Sequence, residues 1–362
     1  MHVDEREYPA GLTSEWAGSV LDGLLDGVAR SHSCLGGRFP LYRAPGTEWV
    51  SSRRGSWTGG HWTGLLWLRA LRFGHPEDRG RAEVAHLALE QWAEADTATR
   101  GLIFWYPLVL SRAVPLDHRE RLEAGAGRCS RSLLARFSAE DEVIPWGEAL
   151  GGPGNLVRVD GAPGVAPLMC RAPGTTPESA RAGVRHLLRH LHLCGKTRGS
   201  RPVWWLKDGT PRPDGASTRY WSRGRAWLLT AFADALTVGA MPADDPDLAG
   251  LLGERAPLIP VADAQEPGAG PDTGAAAIEA AALLRLARRV SGPELKCRVG
   301  ERAHRIVRCL VERHLTERGR GLAGGSYEAR GRFLTGLETV WGDFHLALAA
   351  AMIAGVVSPE WL

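Results

Sequence analysis

No stretch of these 362 residues approaches the roughly 18 consecutive apolar positions that a membrane-spanning helix needs. The N-terminus, Met-His-Val-Asp-Glu-Arg-Glu-Tyr-Pro, lacks the apolar core of a secretory leader, so the chain reads as cytoplasmic. An excess of one charge is lacking too. The 44 Lys and Arg stand against 41 Asp and Glu, which leaves no basic stripe for nucleic acid or an anionic membrane. The six cysteines (Cys34, Cys129, Cys170, Cys194, Cys297 and Cys309) form no C-x-x-C pair, and free buried thiols are expected. There is no G-x-x-x-x-G-K-[ST] phosphate loop, no G-x-S-x-G nucleophile elbow and no H-E-x-x-H. His186 and His190 have the i, i+4 spacing of a zinc pair, but VRHLLRHLHL reads as a basic outer helix. Neither a metal nor an organic cofactor is expected.

What the sequence has is tryptophan: 14, against 7 Phe and 5 Tyr. Trp49, Trp57, Trp62, Trp105, Trp146, Trp204, Trp205 and Trp221 lie near turns rather than inside apolar stripes. About half of the indoles are accounted for as packing; the rest suit the wall of a pocket for sugar rings or other flat ligands. Ala, Arg and Gly outweigh Lys, Ile and Asn, a bias typical of GC-rich bacterial genomes.

Apolar positions recur at three-to-four spacing over about 14–31, 58–74, 79–95, 102–113, 117–137, 161–172, 177–194, 219–238, 245–256, 273–291, 294–315 and 335–354. Asp272 and Thr273 stand where a cap belongs before Gly274–Val290, and Pro177-Glu178 opens another helix. Short strands fit near 155–159 and 201–206. Twelve helices make six helical hairpins, so the spacing predicts an all-α fold: one (α/α)6-barrel domain over 1–362, with near-apolar inner helices. The Pro/Gly-rich segments 196–218 and 257–272 are long enough to reach over its mouth.

Three segments carry more than periodicity. Ser56-Trp57-Thr58-Gly59-Gly60-His61-Trp62-Thr63-Gly64-Leu65-Leu66-Trp67-Leu68 resembles the W-T-x-G-F-W-x-G-x-L-W-L helix of family 88 glycoside hydrolases, the unsaturated glucuronyl hydrolases. Ser217 to Trp227, STRYWSRGRAW, is similar to their S-x-W-x-R-G-Q-A-W. Pro271 to Leu286 resembles their D-S-S-A-x-A-I-A-x-x-x-L-L-x-L block. A weaker match, Val340-Trp341-Gly342-Asp343-Phe344-His345, is similar to Y-G-D-Y-Y. The pieces occur in family order over about residues 50–350. The rhamnogalacturonyl hydrolases of family 105 share the fold and are the nearest competitor.

The resemblance implies a hydratase-like chemistry. One carboxylic acid protonates the enol ether of a C4=C5-unsaturated uronyl sugar, water adds at C5, and the hemiketal collapses to release the neighbouring sugar. The acid's segment resembles Leu156-Val157-Arg158-Val159-Asp160-Gly161, which places Asp160 on the motif carboxylate. Asp160 also stands where an apolar run meets a helix, so burial can hold its proton on; the plainer reading is an N-cap. Arg223 and Trp227 match substrate-lining positions and share a helix face at i, i+4, with a structural ion pair above a core indole as the alternative. Trp57, Trp62, Trp204 and Trp221 are candidate walls. His61, in place of a family aromatic, is either a second proton carrier or a solvated or capping His. Asp343 and His345 are expected to face the barrel interior.

Departures are as informative. The family's T-H-D-x-G-F becomes Thr97-Ala98-Thr99-Arg100-Gly101-Leu102, so Thr99 replaces its second aspartate, and only a remodelled loop would let Asp96 substitute. A Tyr-His pair and a Q-G-Y become Val203-Trp204-Trp205 and Pro213-Asp214-Gly215. Three functions remain open: a divergent hydrolase of short unsaturated oligosaccharides, a small-molecule biosynthetic isomerase, cyclase or elimination catalyst using the same acid, and a non-catalytic ligand binder. A homodimer is compatible with the sequence, which does not fix the oligomeric state.

Overall fold

The computed structural model describes residues 12–195, 201–207, 210–215, 221–253, 256–266, 268–316, 319–329 and 332–362. Among them are twelve α-helices: α1 (Ser14–Leu35), α2 (Gly59–Phe73), α3 (Pro76–Ala88), α4 (Arg100–Arg112), α5 (Arg119–Ala135) and α6 (Val165–Arg171), then α7 (Pro177–Cys194), α8 (Ser222–Thr237), α9 (Pro246–Gly253), α10 (Thr273–Arg289), α11 (Pro293–His314) and α12 (Val340–Ile353). The even-numbered helices touch in sequence around a ring that closes where α12 meets α2, and each odd-numbered helix backs its inner partner. This is the (α/α)6 barrel the periodicity predicts. Burial follows the layering: every residue of α10 from Thr273 to Leu286 is buried, while α11 buries one stripe, Val299, Ala303, Ile306, Val307 and Leu310.

Caps start the helices where the sequence places them. The Asp272 carboxylate accepts from Ala275 N at 3.1 Å, and Thr176 forms a reciprocal box with Ser179 ahead of Pro177. The segment read as one helix over 335–354 is divided, because Thr339 caps α12 and the residues before it form a strand. That strand belongs to a sheet the sequence reading missed, ordered β2-β1-β7-β6, from β1 (Phe39–Arg43), β2 (Val50–Ser52), β6 (Gly325–Ala329) and β7 (Arg332–Thr339). The expected strands are β3 (Leu156–Arg158) and β4 (Val203–Lys207), extended by β5 (Thr210–Pro213).

Connections returning from inner to outer helices are short: 74–75, 113–118, 172–176, 238–245 and 290–292. Those leading into the inner helices, 36–58, 89–99, 136–164, 195–221, 254–272 and 315–339, are long and hold the seven strands found among the described residues. The long loops therefore gather at the N-terminal ends of the inner helices, and that end is the mouth. The 257–272 segment packs there on α8, with Ser222 N donating to Ala262 O, whereas much of 196–218 lies outside the described residues.

The six cysteines form no disulfide, but they are not all buried: Cys34 and Cys297 are exposed. His186 and His190 do sit on an outer helix but on its buried face, which corrects their reading as part of a basic surface. Half of the tryptophans (Trp62, Trp67, Trp92, Trp105, Trp146, Trp227 and Trp341) are buried.

Candidate active site

Asp160 reaches the mouth because β3, pinned in the sheet by β4, ends in a 3-10 turn at Val159–Gly161. Gly164 follows with φ +77°, a conformation that favours glycine, and its N–H donates to the buried Asp234 carboxylate at 2.7 Å, tying the start of α6 to α8. Gly164, not Asp160, is the N-cap of α6, so the capping reading of Asp160 falls. The expected burial is only partial. The Asp160 side chain is 18% exposed, and its two oxygens accept from Arg158 at 3.1 and 3.2 Å. The Arg158 guanidinium lies 4.3 Å from the Trp146 ring centroid. Burial works against its charge, but Asp160, together with Glu328 and Tyr327, outweighs it, so its pKa rises.

Beneath the turn the molecule is polar but neutral. His186 accepts from Ile144 N and faces Gly161 O, and His190 Nδ1 donates to His186 O at 2.8 Å. Burial pushes His190 down to about 4. A Cβ at Gly161 would meet the Ala98 methyl at 3.1 Å, so the turn rests directly on the residue that replaces the family's histidine. Thr99 is buried and its hydroxyl pairs with that of Thr97 at 2.9 Å. Asp96 points elsewhere, to Arg136 at 2.7 Å and to Glu148 N, and does not substitute for the missing carboxylate.

Arg223, at the start of α8, is engaged. It donates to Asp272 at 2.6 Å and to Ser326 O at 2.8 Å, while Ser222 Oγ reaches the same Asp272 oxygen at 3.0 Å. The side chains of this pair are 7% and 0% exposed. The polar residues of two resemblance segments thus bolt α8 to α10. Trp227, one turn on, is buried against His61 and His345. Of the two readings of this i, i+4 pair, the geometry is that of a buried ion pair above a core indole.

His61 is neither solvated nor a cap. It is fully buried among Trp57, Tyr106, Trp227, Phe344 and His345, and neither ring nitrogen has a partner. Burial, aided by His345, holds its pKa well below the ordinary value, and burial pushes His345 down to about 4. These rings form the floor. Above them, Trp57 contacts Trp341 at 5.1 Å, Tyr327 lies 5.5 Å from the same indole, and Trp221 and Trp341 flank the Arg223 guanidinium. Trp57 and Trp221 remain half-buried and make the accessible wall.

Three expected members are not brought to this group. Trp62 stacks on His32 of α1. Trp204 pairs with Val157, whose side chain points away from that of Arg158, and its indole donates to Arg201 O. Asp343 does not join His345 inside the barrel. Two residues apart on α12, they point to nearly opposite sides, and Asp343 meets Leu322 N and the Glu338 carboxyl behind the ring. Arg158 and Tyr327 were missed, and Trp146 and Trp341, noted as a turn-proximal indole and as part of the weak match, were not assigned to the site. The usable signal for Arg158 was R-x-D on an extended segment, which can place guanidinium and carboxylate together. Ser217–Tyr220, part of the second resemblance segment, lies outside the described residues.

No family model matches the chain. The unsaturated glucuronyl hydrolase of Bacillus sp. (strain GL1) is 27% identical over 96% of this chain and 98% of that protein. Its crystal structure, described as responsible for the degradation of glycosaminoglycan, superposes with a TM-score of 0.79 at 23% identity, over 92% of this chain and 95% of that one. The Streptococcus agalactiae unsaturated glucuronyl hydrolase gives a TM-score of 0.84 at 15% identity, over 100% and 98%. A mutant of that protein was solved complexed with dGlcA-GalNAc6S, at a TM-score of 0.76 and 15% identity, over 98% and 96%. The chain has the fold of the unsaturated glucuronyl hydrolases and resembles them along nearly its whole length.

Proposed function

We propose that the chain is a divergent glycoside hydrolase-like enzyme that hydrates the unsaturated uronyl end of a short oligosaccharide, with Asp160 as its acid and base. The observation that carries the reading is that Asp160 has no helix to cap, yet sits partly exposed at the mouth of the barrel. Protonated, it delivers its proton to C4. The attacking water then bonds to C5 and returns a proton to the carboxylate. The hemiketal opens and the neighbouring sugar leaves, for the net consumption of one water. One carboxyl acting twice needs no second acid, which suits a site whose position 99 is a threonine hydrogen-bonded to Thr97. Trp57 and Trp221 offer ring faces, and the Arg223 guanidinium lies against Trp221.

Incubation with several lyase-generated unsaturated disaccharides tests this. Loss of the enol-ether ultraviolet absorbance is expected with the wild type and not with Asp160→Asn; unchanged absorbance across all substrates overturns the hydratase reading. The absence of a carboxylate at Thr99 and the half-buried indoles of Trp57 and Trp221 favour a second reading, in which the same acid protonates an alkene or enol of a small biosynthetic intermediate. Turnover of such a compound without glycoside cleavage separates the two. A cytoplasmic location accords with either.

A further inference from the structure

The guanidinium that the sequence motif offers to a ligand, that of Arg223, is tied to Asp272 and Ser326 O and is only 7% exposed. Arg158, which matches no motif, is 33% exposed. Its planar fork, backed by the Trp146 face, has the geometry that meets a carboxylate with two parallel hydrogen bonds. The carboxylate now held there is Asp160, at 3.1 and 3.2 Å, longer than the 2.6 Å of the buried Arg223–Asp272 pair. This grip raises a mechanistic problem, since an acid must present an O–H and both Asp160 oxygens are accepting. The other titratable groups around the pair are His190 and Cys194 of α7, both buried, and Tyr327 and Glu328 of β6.

We propose that Arg158 is the anion-recognising residue of this site and that a substrate carboxylate displaces Asp160 from it, so that only a negatively charged substrate releases the acid. Once released, the Asp160 carboxylate takes a proton from solvent and then donates it to the substrate carbon. Neutral analogues leave Asp160 clasped. This inference rests on the hydratase reading for the proton step, but its recognition step can be measured without turnover.

The experiment is calorimetric titration of the full chain with D-glucuronate and with its methyl ester. The wild type should prefer the acid by about tenfold, as a charge-assisted hydrogen bond allows. Asp160→Asn, which removes the competitor, should tighten glucuronate a further roughly tenfold and leave the ester unchanged. Arg158→Gln should erase the preference and Arg158→Lys should restore part of it, which separates lost recognition from lost folding. No wild-type preference, a preference surviving in Arg158→Gln, or no tightening in Asp160→Asn overturns the proposal. Turnover of unsaturated disaccharides with no role for Arg158 in charge selection defeats it and leaves the hydratase reading standing. An Arg158-dependent preference without any such turnover keeps the recognition step and defeats the hydratase reading.

Discussion

Two arginine–aspartate pairs stand at the mouth, built from the same groups in opposite settings. Arg223–Asp272 is closed off from water and shares its carboxylate with Ser222 and the first turn of α10. Arg158–Asp160 is open, longer, and made within a single turn. The contrast shows how a barrel divides its charges. A buried pair whose carboxylate is shared among Arg223, Ser222 and Ala275 N holds two helix starts in place, whereas a partly wet pair can exchange partners.

That division is open to attack by mutation. The largest stability effect is expected from Arg223→Ala, which strands the Asp272 charge: a loss of about 3–5 kcal/mol, seen as a melting temperature lower by roughly 10 °C. Unchanged melting would erase the distinction between the pairs. Asp160→Asn should move stability by less than about 1 kcal/mol while turnover falls about 10²–10⁴-fold; a large drop in melting temperature would make Asp160 structural too.

The buried histidines, of which His86 on α3 accepts from the Trp67 indole, sharpen the contrast through pH. His86, His190 and His345 are pushed down to about 4 by burial, and His61 and His186 lie well below their ordinary value. The unfolded chain protonates these rings from about pH 6.5 downward and the folded chain does not, so their contribution is full above that pH and is lost as pH falls toward 4. His61→Phe should flatten this acid limb, visible in urea midpoints measured from pH 7 to 4, and cost no more than about 1 kcal/mol at neutral pH because it removes two unpartnered nitrogens. The smallest expected effect is at Asp343, whose carboxyl is raised well above its usual range by burial and by Glu338. Its contribution is present at low pH and lost as pH rises, so Asp343→Asn should gain about 1 kcal/mol on the wild type at alkaline pH, read as a higher melting temperature at pH 8 than at pH 5 relative to wild type.

Helix count and order were legible because an outer helix such as α11 prints its burial on a 3.6-residue period, while an inner one such as α10 reads as a capped run of apolar and small residues. The four-stranded sheet was not, since its stability lies in pairings such as Tyr42 with Thr339, far apart in the chain, and β1, β2 and β6 are too short to show alternation. Asp160 was legible through a motif, while its partner Arg158 was hidden inside an apolar run. His186 and His190 were misread because a helix rich in arginine looks wet, although Ala182, His186 and His190 share its packed side with Leu187 and Leu191. Asp343 and His345 were grouped by adjacency when their angular separation on α12 should have parted them.

The ring closes where α12 meets α1 and α2, so the helix that comes late in the chain covers surfaces made near its beginning. During synthesis those surfaces, with His61, Trp62 and their apolar neighbours, wait uncovered until about 340 residues have been made. Folding of this toroid is therefore expected to be slow and to lean on chaperones, and a ribosome stalled before α12 would release an aggregation-prone arc rather than a smaller working barrel.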